Sequence, residues 1–188
     1  MPSTSRRLVY SVATSLDGFI AGPHGEYDWI THDPAYDFAA LYSRFDTGLM
    51  GRRTFEVAQS RPGSLERMGM RIFVVSTTLD PAQHPGATVL NRDIPSAVVA
   101  LKAEPGKDIW LFGGGVLFRS LLDAGLVDAI DIAVMPILLA GGVPLLPEGG
   151  RCALRLTECK TLPSGMLTLS YSVAGTPARP TQKRSRKP

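Results

Sequence analysis

No apolar stretch in this chain approaches the roughly 20 residues that a membrane-spanning helix needs, so a helical membrane anchor is not expected. Arg6 and Arg7 near the N-terminus are followed by an alternating strand pattern rather than the apolar core of a signal peptide, and the expected location is the cytoplasm. Cysteine is scarce, with only Cys152 and Cys159 in 188 residues. They fall on one expected strand at an odd separation and so point to opposite faces, which prevents their pairing. No histidine cluster accompanies them to complete a zinc site, and both are expected as packing residues in a reducing compartment. There is no internal repeat, and no metal is expected.

Acidic residues are missing from residues 176–188, which hold Arg179, Lys183, Arg184, Arg186 and Lys187. The formal charge of +3 therefore belongs to that segment, because the remainder carries 15 basic against 17 acidic residues. A basic body built to grip nucleic acid is excluded on this count. The segment's Pro, Ser, Thr and basic content predicts disorder. The organisation expected is one domain over residues 1–175, with a basic tail over 176–188.

What is present is an alternation of strands and helices. Leu8–Ser15 has strand composition, and Leu16–Thr31 reads as a long loop containing glycine. Asp33 and Pro34 look like a helix start, with Phe38, Leu41, Tyr42 and Phe45 spaced to form its core face. Leu49–Met50 reads as a buried strand ending at Gly51, with a helix from about Arg53. Arg71–Ser76, Thr88–Leu90, Asp108–Phe112 and Ala129–Met135 are further strands, with helices near Pro95–Ala103 and Val116–Ala124. Leu154–Leu162 and Leu167–Val173 flank Pro163-Ser164-Gly165 as a hairpin. The pattern predicts an α/β fold in which a mostly parallel sheet carries helices on both faces and ends in an antiparallel hairpin.

Three glycines, Gly113, Gly114 and Gly115, stand between a buried strand and a helix. A glycine turn lets backbone approach a ligand closely, and the helix behind it offers free N–H groups to a pyrophosphate. The alternative is a tight turn with nothing bound. The order is not the dinucleotide pattern G-x-G-x-x-G, and it falls late in the chain. A second anion site is suggested by Gly51-Arg52-Arg53-Thr54, where two arginines face a helix N-terminus whose dipole opposes them and Thr54 stands at the expected N-cap. Ser76 and Thr77 offer hydroxyls at the end of the next strand. Three such segments at successive strand ends point to one ligand, because open parallel sheets bind there.

Together these segments resemble the dihydrofolate-reductase-like family. Met50–Glu56 resembles its cofactor segment, Val74–Thr77 the strand end near the adenosine 2′-phosphate, and Trp110–Leu117 the glycine turn over the pyrophosphate. Ser15–Ala21 with Asp28-Trp29 resembles the mobile loop over the nicotinamide. Within the family, Ser15-Leu16-Asp17-Gly18, Ala124–Asp128 and Pro136–Leu145 resemble the branch of the riboflavin-biosynthesis reductase C-terminal domain, here as a stand-alone member.

The resemblance implies NADPH as cofactor, preferred over NADH because two arginines suit the extra phosphate. Gly51, Arg52, Arg53, Thr54, Ser76 and Thr77 would hold its 2′-phosphate and ribose end. Gly113, Gly114, Gly115, Val116 and Leu117 would hold the pyrophosphate, with a cis peptide expected at Gly113–Gly114, and Ala13 and Ile20 would flank the nicotinamide. The catalytic candidates are Asp37, which could instead serve the helix dipole, and Asp17, which could instead cap a loop. Trp29 and Asp28 are the substrate-binding candidates. The expected activity is NADPH-dependent hydride transfer to a small pteridine- or pyrimidine-like heterocycle. Its alternatives are the riboflavin-pathway reduction of 5-amino-6-(5-phosphoribosylamino)uracil and a non-enzymatic NADPH-binding module. A homodimer is expected, with neither a specific nucleic-acid partner nor a membrane.

Overall fold

The computed structural model describes residues 5–61 and 63–174; the basic segment 176–188 lies outside the described residues. Among the described residues no helix is long and apolar enough to cross a membrane.

Ten strands form in chain order: β1 (Leu8–Ser15), β2 (Phe19–Ala21), β3 (Phe45–Gly51), β4 (Arg71–Val75), β5 (Ala87–Leu90), β6 (Asp108–Phe112), β7 (Ala129–Met135), β8 (Val143–Pro144), β9 (Leu154–Thr161) and β10 (Leu167–Val173). Five helices accompany them: α1 (Phe38–Ser43), α2 (Arg52–Gln59), α3 (Ser64–Met68), α4 (Ile94–Ala103) and α5 (Gly115–Asp123). The main sheet has eight strands in the order β5-β4-β3-β6-β1-β7-β10-β9. It is parallel from β5 to β7 and turns antiparallel at β10 and β9.

Strand alternation sorts the core into two faces. Leu8, Tyr10, Leu111, Ile130 and Ile132 meet Val98 and Leu101 of α4 and Phe118, Leu121 and Leu122 of α5. On the opposite face Val9, Trp110 and Met50 pack with Leu41, Tyr42, Phe55 and Met68, from the layer of α1, α2 and α3. The result is the expected three-layer α/β architecture. Trp110 is tolerated in this core because its Nε1 donates to the Ser11 carbonyl at 2.9 Å.

Several local expectations are corrected. The run from Leu16 to Thr31 contains β2, which pairs with β8 more than a hundred residues away; a three-residue strand carries no local signal. The first helix begins at Phe38 and not at Pro34, because the Asp33 carboxylate accepts from Ala35 N–H at 2.7 Å and ties that segment into a turn. Phe45 opens β3 instead of completing the helix. No residue of α1 is fully buried; Leu41 and Tyr42 pack half-buried against Val9 and Trp110, and with Phe38 they also line a cleft. Cys152 precedes β9, Cys159 lies on it, and both are exposed and free. The expectation of packing residues fails because β9 is the sheet's edge, with all eight of its residues exposed.

One buried cation joins the start of β1 to two other elements. The Arg6 side chain is 0% exposed and pairs with Asp46. It also donates to Thr47 Oγ1 at 2.6 Å and to the Lys107 and Leu101 carbonyls. Partial burial opposes the Asp46 charge, but the Lys107 N–H, the Thr47 hydroxyl and Arg6 outweigh it and hold the carboxyl below its usual range. Arg6→Met is expected to lower the free energy of unfolding by about 3–5 kcal/mol, the cost of stranding buried partners. Urea denaturation measures it, and a loss below about 1 kcal/mol, the range of a surface pair, would rule out the anchoring role.

Candidate functional site

β3 and β6 are neighbours in the sheet, with Met50 opposite Phe112. The turns that leave them, Gly51 into α2 and Gly113-Gly114 into α5, therefore emerge side by side. Gly51 is the N-cap of α2 and Gly114 that of α5, and neither helix has a side-chain cap. By contrast, α1 and α4 are capped by Asp37 and Asp93. The first N–H groups of α2 and α5 are thus left for a ligand. Thr54 sits in the first turn of α2 and not at its N-cap.

Between the two turns the packing leaves no room for a side chain. A Cβ placed on Gly113 would lie 2.7 Å from both Cγ2 and Oγ1 of Thr54. Gly113 and Gly114 have φ of +65° and +57°, which glycine adopts without penalty. None of the described peptide bonds is cis. The cis bond expected at Gly113–Gly114 is therefore absent, because two successive left-handed glycines make the turn with trans geometry.

A cleft of about 2030 Å³ opens over these turns and along the sheet face that carries α1. Single small-molecule sites occupy about 300–1,000 Å³, so this one has room for a dinucleotide and a second ligand. Ala13, Ile20, Asp37, Gly51, Arg52, Arg53, Thr54, Gly113, Gly114, Gly115, Val116 and Leu117 all line it. Arg53 makes no ion pair among the described residues, whereas Arg52 pairs with Glu56 at 2.9 Å. Across the opening, the Arg61 guanidinium lies 4.4 Å above the Tyr27 ring and links the end of α2 to the loop after β2.

Five expected site residues lie away from the cleft lining. The Ser76 hydroxyl accepts from the N–H groups of Thr78 and Leu79 and builds a turn, and Thr77 is exposed beside it. Asp28 is exposed, and Trp29 donates from Nε1 to the Glu26 carbonyl at 3.0 Å. Asp17 accepts from Ser15 Oγ at 2.6 Å and from the N–H groups of Leu139 and Ala140. The Ser15 bond leads in holding its carboxyl below the usual range, and the carboxylate clasps two loops together. Asp37 does line the cleft, with Oδ1 accepting from Ala40 N–H at 2.8 Å as the cap of α1.

The structure adds residues that sequence reasoning missed. Ser11, Asp131 and Ser170 stand in one cross-strand row on the cleft face, with Ala13 and Ala133 in the row above. Tyr36, Phe38, Tyr42 and Trp110 form a chain of ring contacts along one wall, with centroids 4.6–6.3 Å apart. An acid inside the otherwise apolar strand Ala129–Met135 was the visible signal for Asp131. Among the described residues no group of three or more His, Cys, Asp or Glu could hold a metal.

An open sheet of this order, with glycine turns over a nucleotide-sized cleft, defines a dihydrofolate-reductase-like α/β fold. The solved dihydrofolate reductase of Enterococcus faecalis, complexed with NADP(H), superposes with a TM-score of 0.65 over 89% of this chain and 96% of that one, at 20% identity. Residues 6–168 match the RibD C-terminal domain, and the chain belongs to that family. It is 32% identical to the protein YyaP of Bacillus subtilis over 178 residues, 88% of this chain and 94% of YyaP. A solved protein of Shewanella sp. PV-4, provisionally assigned to riboflavin biosynthesis, is 27% identical, with a TM-score of 0.76 over 89% of this chain and 98% of that one.

Gly113→Ala is expected to lower stability by roughly 1–3 kcal/mol, from its left-handed backbone and the contact with Thr54. Chemical denaturation of the Gly113→Ala/Thr54→Ala double variant should recover part of that loss, and no recovery would contradict the contact. A pH effect is expected at Asp33. Ser164 donates to it, hydroxyl first and N–H second, and with Ala35 keeps its carboxyl below the usual range. A lowered folded value contributes stability above the ordinary value and loses it as pH falls. Protection of the Ser164 amide, whose N–H is 2.9 Å from Asp33 Oδ2, should hold near neutrality and decline below about pH 4. Hydrogen exchange corrected for its intrinsic rate reads this, and flat protection down to pH 3 would contradict it.

Proposed function

We propose that this chain is an NADPH-dependent reductase that transfers hydride to a small planar heterocycle of pteridine or pyrimidine type. The observation that carries this reading is the pair of glycine-capped helix N-termini, α2 and α5, opening side by side into one cleft beside Arg52 and Arg53. Two sets of free N–H groups and two cations suit a ligand with a pyrophosphate and a further phosphate. Membership of the RibD C-terminal domain family supports it.

NADPH fits the residues present. Gly113 to Leu117 would hold the pyrophosphate, and Gly51 to Thr54 the 2′-phosphate end. Ala13 and Ile20 would flank the nicotinamide, where small side chains on the sheet leave space. When bound, NADPH supplies the hydride. The protein's part is to bind, orient and exclude water. Tyr36, Phe38, Tyr42 and Trp110 give the second ligand an aromatic wall of mutually tilted rings. Between Thr31 and Phe38 there is no arginine and one histidine, His32, which favours a substrate without the phosphoribosyl group of the riboflavin pathway.

NADPH at about 100 times its dissociation constant should stabilise the protein by about 2.7 kcal/mol, a rise of several degrees in Tm for a domain of this size. NADH should give less, and Arg53→Gln should narrow the difference. No NADPH-dependent shift would overturn the reading. Binding without oxidation across a panel of pterins and pyrimidines would leave a nucleotide-binding module in its place.

A further inference from the structure

The floor of the cleft holds a carboxylate that the cofactor does not explain. Asp131 points from β7 to the cleft face, in register with Ser11 of β1 and Ser170 of β10. Its side chain is 14% exposed, and its Oδ2 is buried and accepts no hydrogen bond from any described group. Arg44, the C-cap residue of α1, brings Nη2 to 2.8 Å from Oδ2 as an ion-pair partner, outside hydrogen-bond geometry. An ion pair at 2.8 Å that lacks hydrogen-bond alignment offsets the charge without filling the acceptor sites of the carboxylate, which number about four. Arg44 balances the charge and leaves acceptor capacity unused.

The surroundings indicate the kind of donor. Ser11 and Ser170 are small and polar, and Ala133, one inward-facing position along β7, leaves the floor low toward Ala13. Tyr36 borders the same space; burial and then the charge of Asp131 raise its hydroxyl's pKa, so it stays a neutral donor. Asp37, the other carboxylate of this wall, already caps α1 through Oδ1. A flat ring lying along the aromatic wall would present its edge to Asp131.

We propose that Asp131 is the substrate-anchoring, specificity-determining residue, accepting N–H donors from the edge of an amino-substituted heterocycle while Arg44 holds its charge. This rests on the heterocycle-reductase function proposed above and names the contact that selects its substrate.

Two flat probes of similar shape test it: 2,4-diaminopyrimidine, which presents N–H donors, and 2,4-dimethoxypyrimidine, which presents none. Binding of each is measured by calorimetry or ligand-observed NMR, with and without NADPH. The full chain should prefer the diamino probe by roughly tenfold or more, the range for a hydrogen bond to a charged group. Asp131→Asn should abolish that preference. Asp131→Glu keeps the charge for Arg44 but displaces the oxygens, and should weaken the diamino probe as well. Should the Asn variant fail to fold, the Glu variant carries the test. A merely structural ion pair predicts that the Glu variant keeps the preference, and that result overturns the proposal. So does equal binding of the two probes by the wild type, or loss of preference in Asp37→Asn with none in Asp131→Asn. NADPH titration of the same samples reports separately on the cofactor site, so failure of the reductase reading is distinguishable from failure at Asp131.

Discussion

The adjacency of β3 and β6 in a parallel sheet is the constraint on which the site depends. Parallel neighbours release their chains at the same edge, so the turns after Met50 and after Phe112 lie next to each other. Each turn leads straight into a helix whose cap is glycine, and the two approach so closely that Thr54 fills the space a Gly113 side chain would need. Side-chain caps here would satisfy the first N–H groups internally, as Asp93 does for α4. Leaving them without side-chain caps, beside two arginines, gives this edge of the sheet the donors and positive charge that suit an anion. The cost in helix stability is offset by the deep apolar packing on the other side of the sheet, where Tyr10 stacks on Phe118.

The rest of the molecule closes and shapes that edge. Asp17 and the β2–β8 pairing hold the loop after β1 against residues 139–144. Asp33 fastens the turn of the terminal hairpin to the segment before α1. Beyond β7 the sheet continues into β10 and β9, and the polar row of Ser11, Asp131 and Ser170 runs across β1, β7 and β10. The glycine turns thus come from parallel βα connections, whereas the polar row is assembled across three strands, the last of them antiparallel.

That division explains how much was legible beforehand. β1, the strands from β4 onward apart from β8, the three-layer class and the glycine turns could be read from residue pattern, because each depends on neighbours in sequence. Reading α1 as a core helix from Pro34 to Phe45 was right for Leu41 and Tyr42, which pack on Trp110, and missed that the same face also borders a cleft, since apolar side chains suit both. The cysteines misled for the opposite reason, their strand having no layer over it. Asp37 looked catalytic by position, yet one of its oxygens caps a helix, a role that residue type alone cannot separate from chemistry.

By itself the sequence determined the alternation of strands and helices, the two glycine turns with their arginines, and hence the class of fold. These follow from local rules: period, caps and backbone freedom act over a few residues. Tertiary structure alone decided which strands became neighbours, that β2 would pair with β8, and that Asp131 would sit half-buried between Ser11 and Ser170, ion-paired with Arg44. Such pairings join residues more than a hundred positions apart, and only packing of the whole sheet selects them.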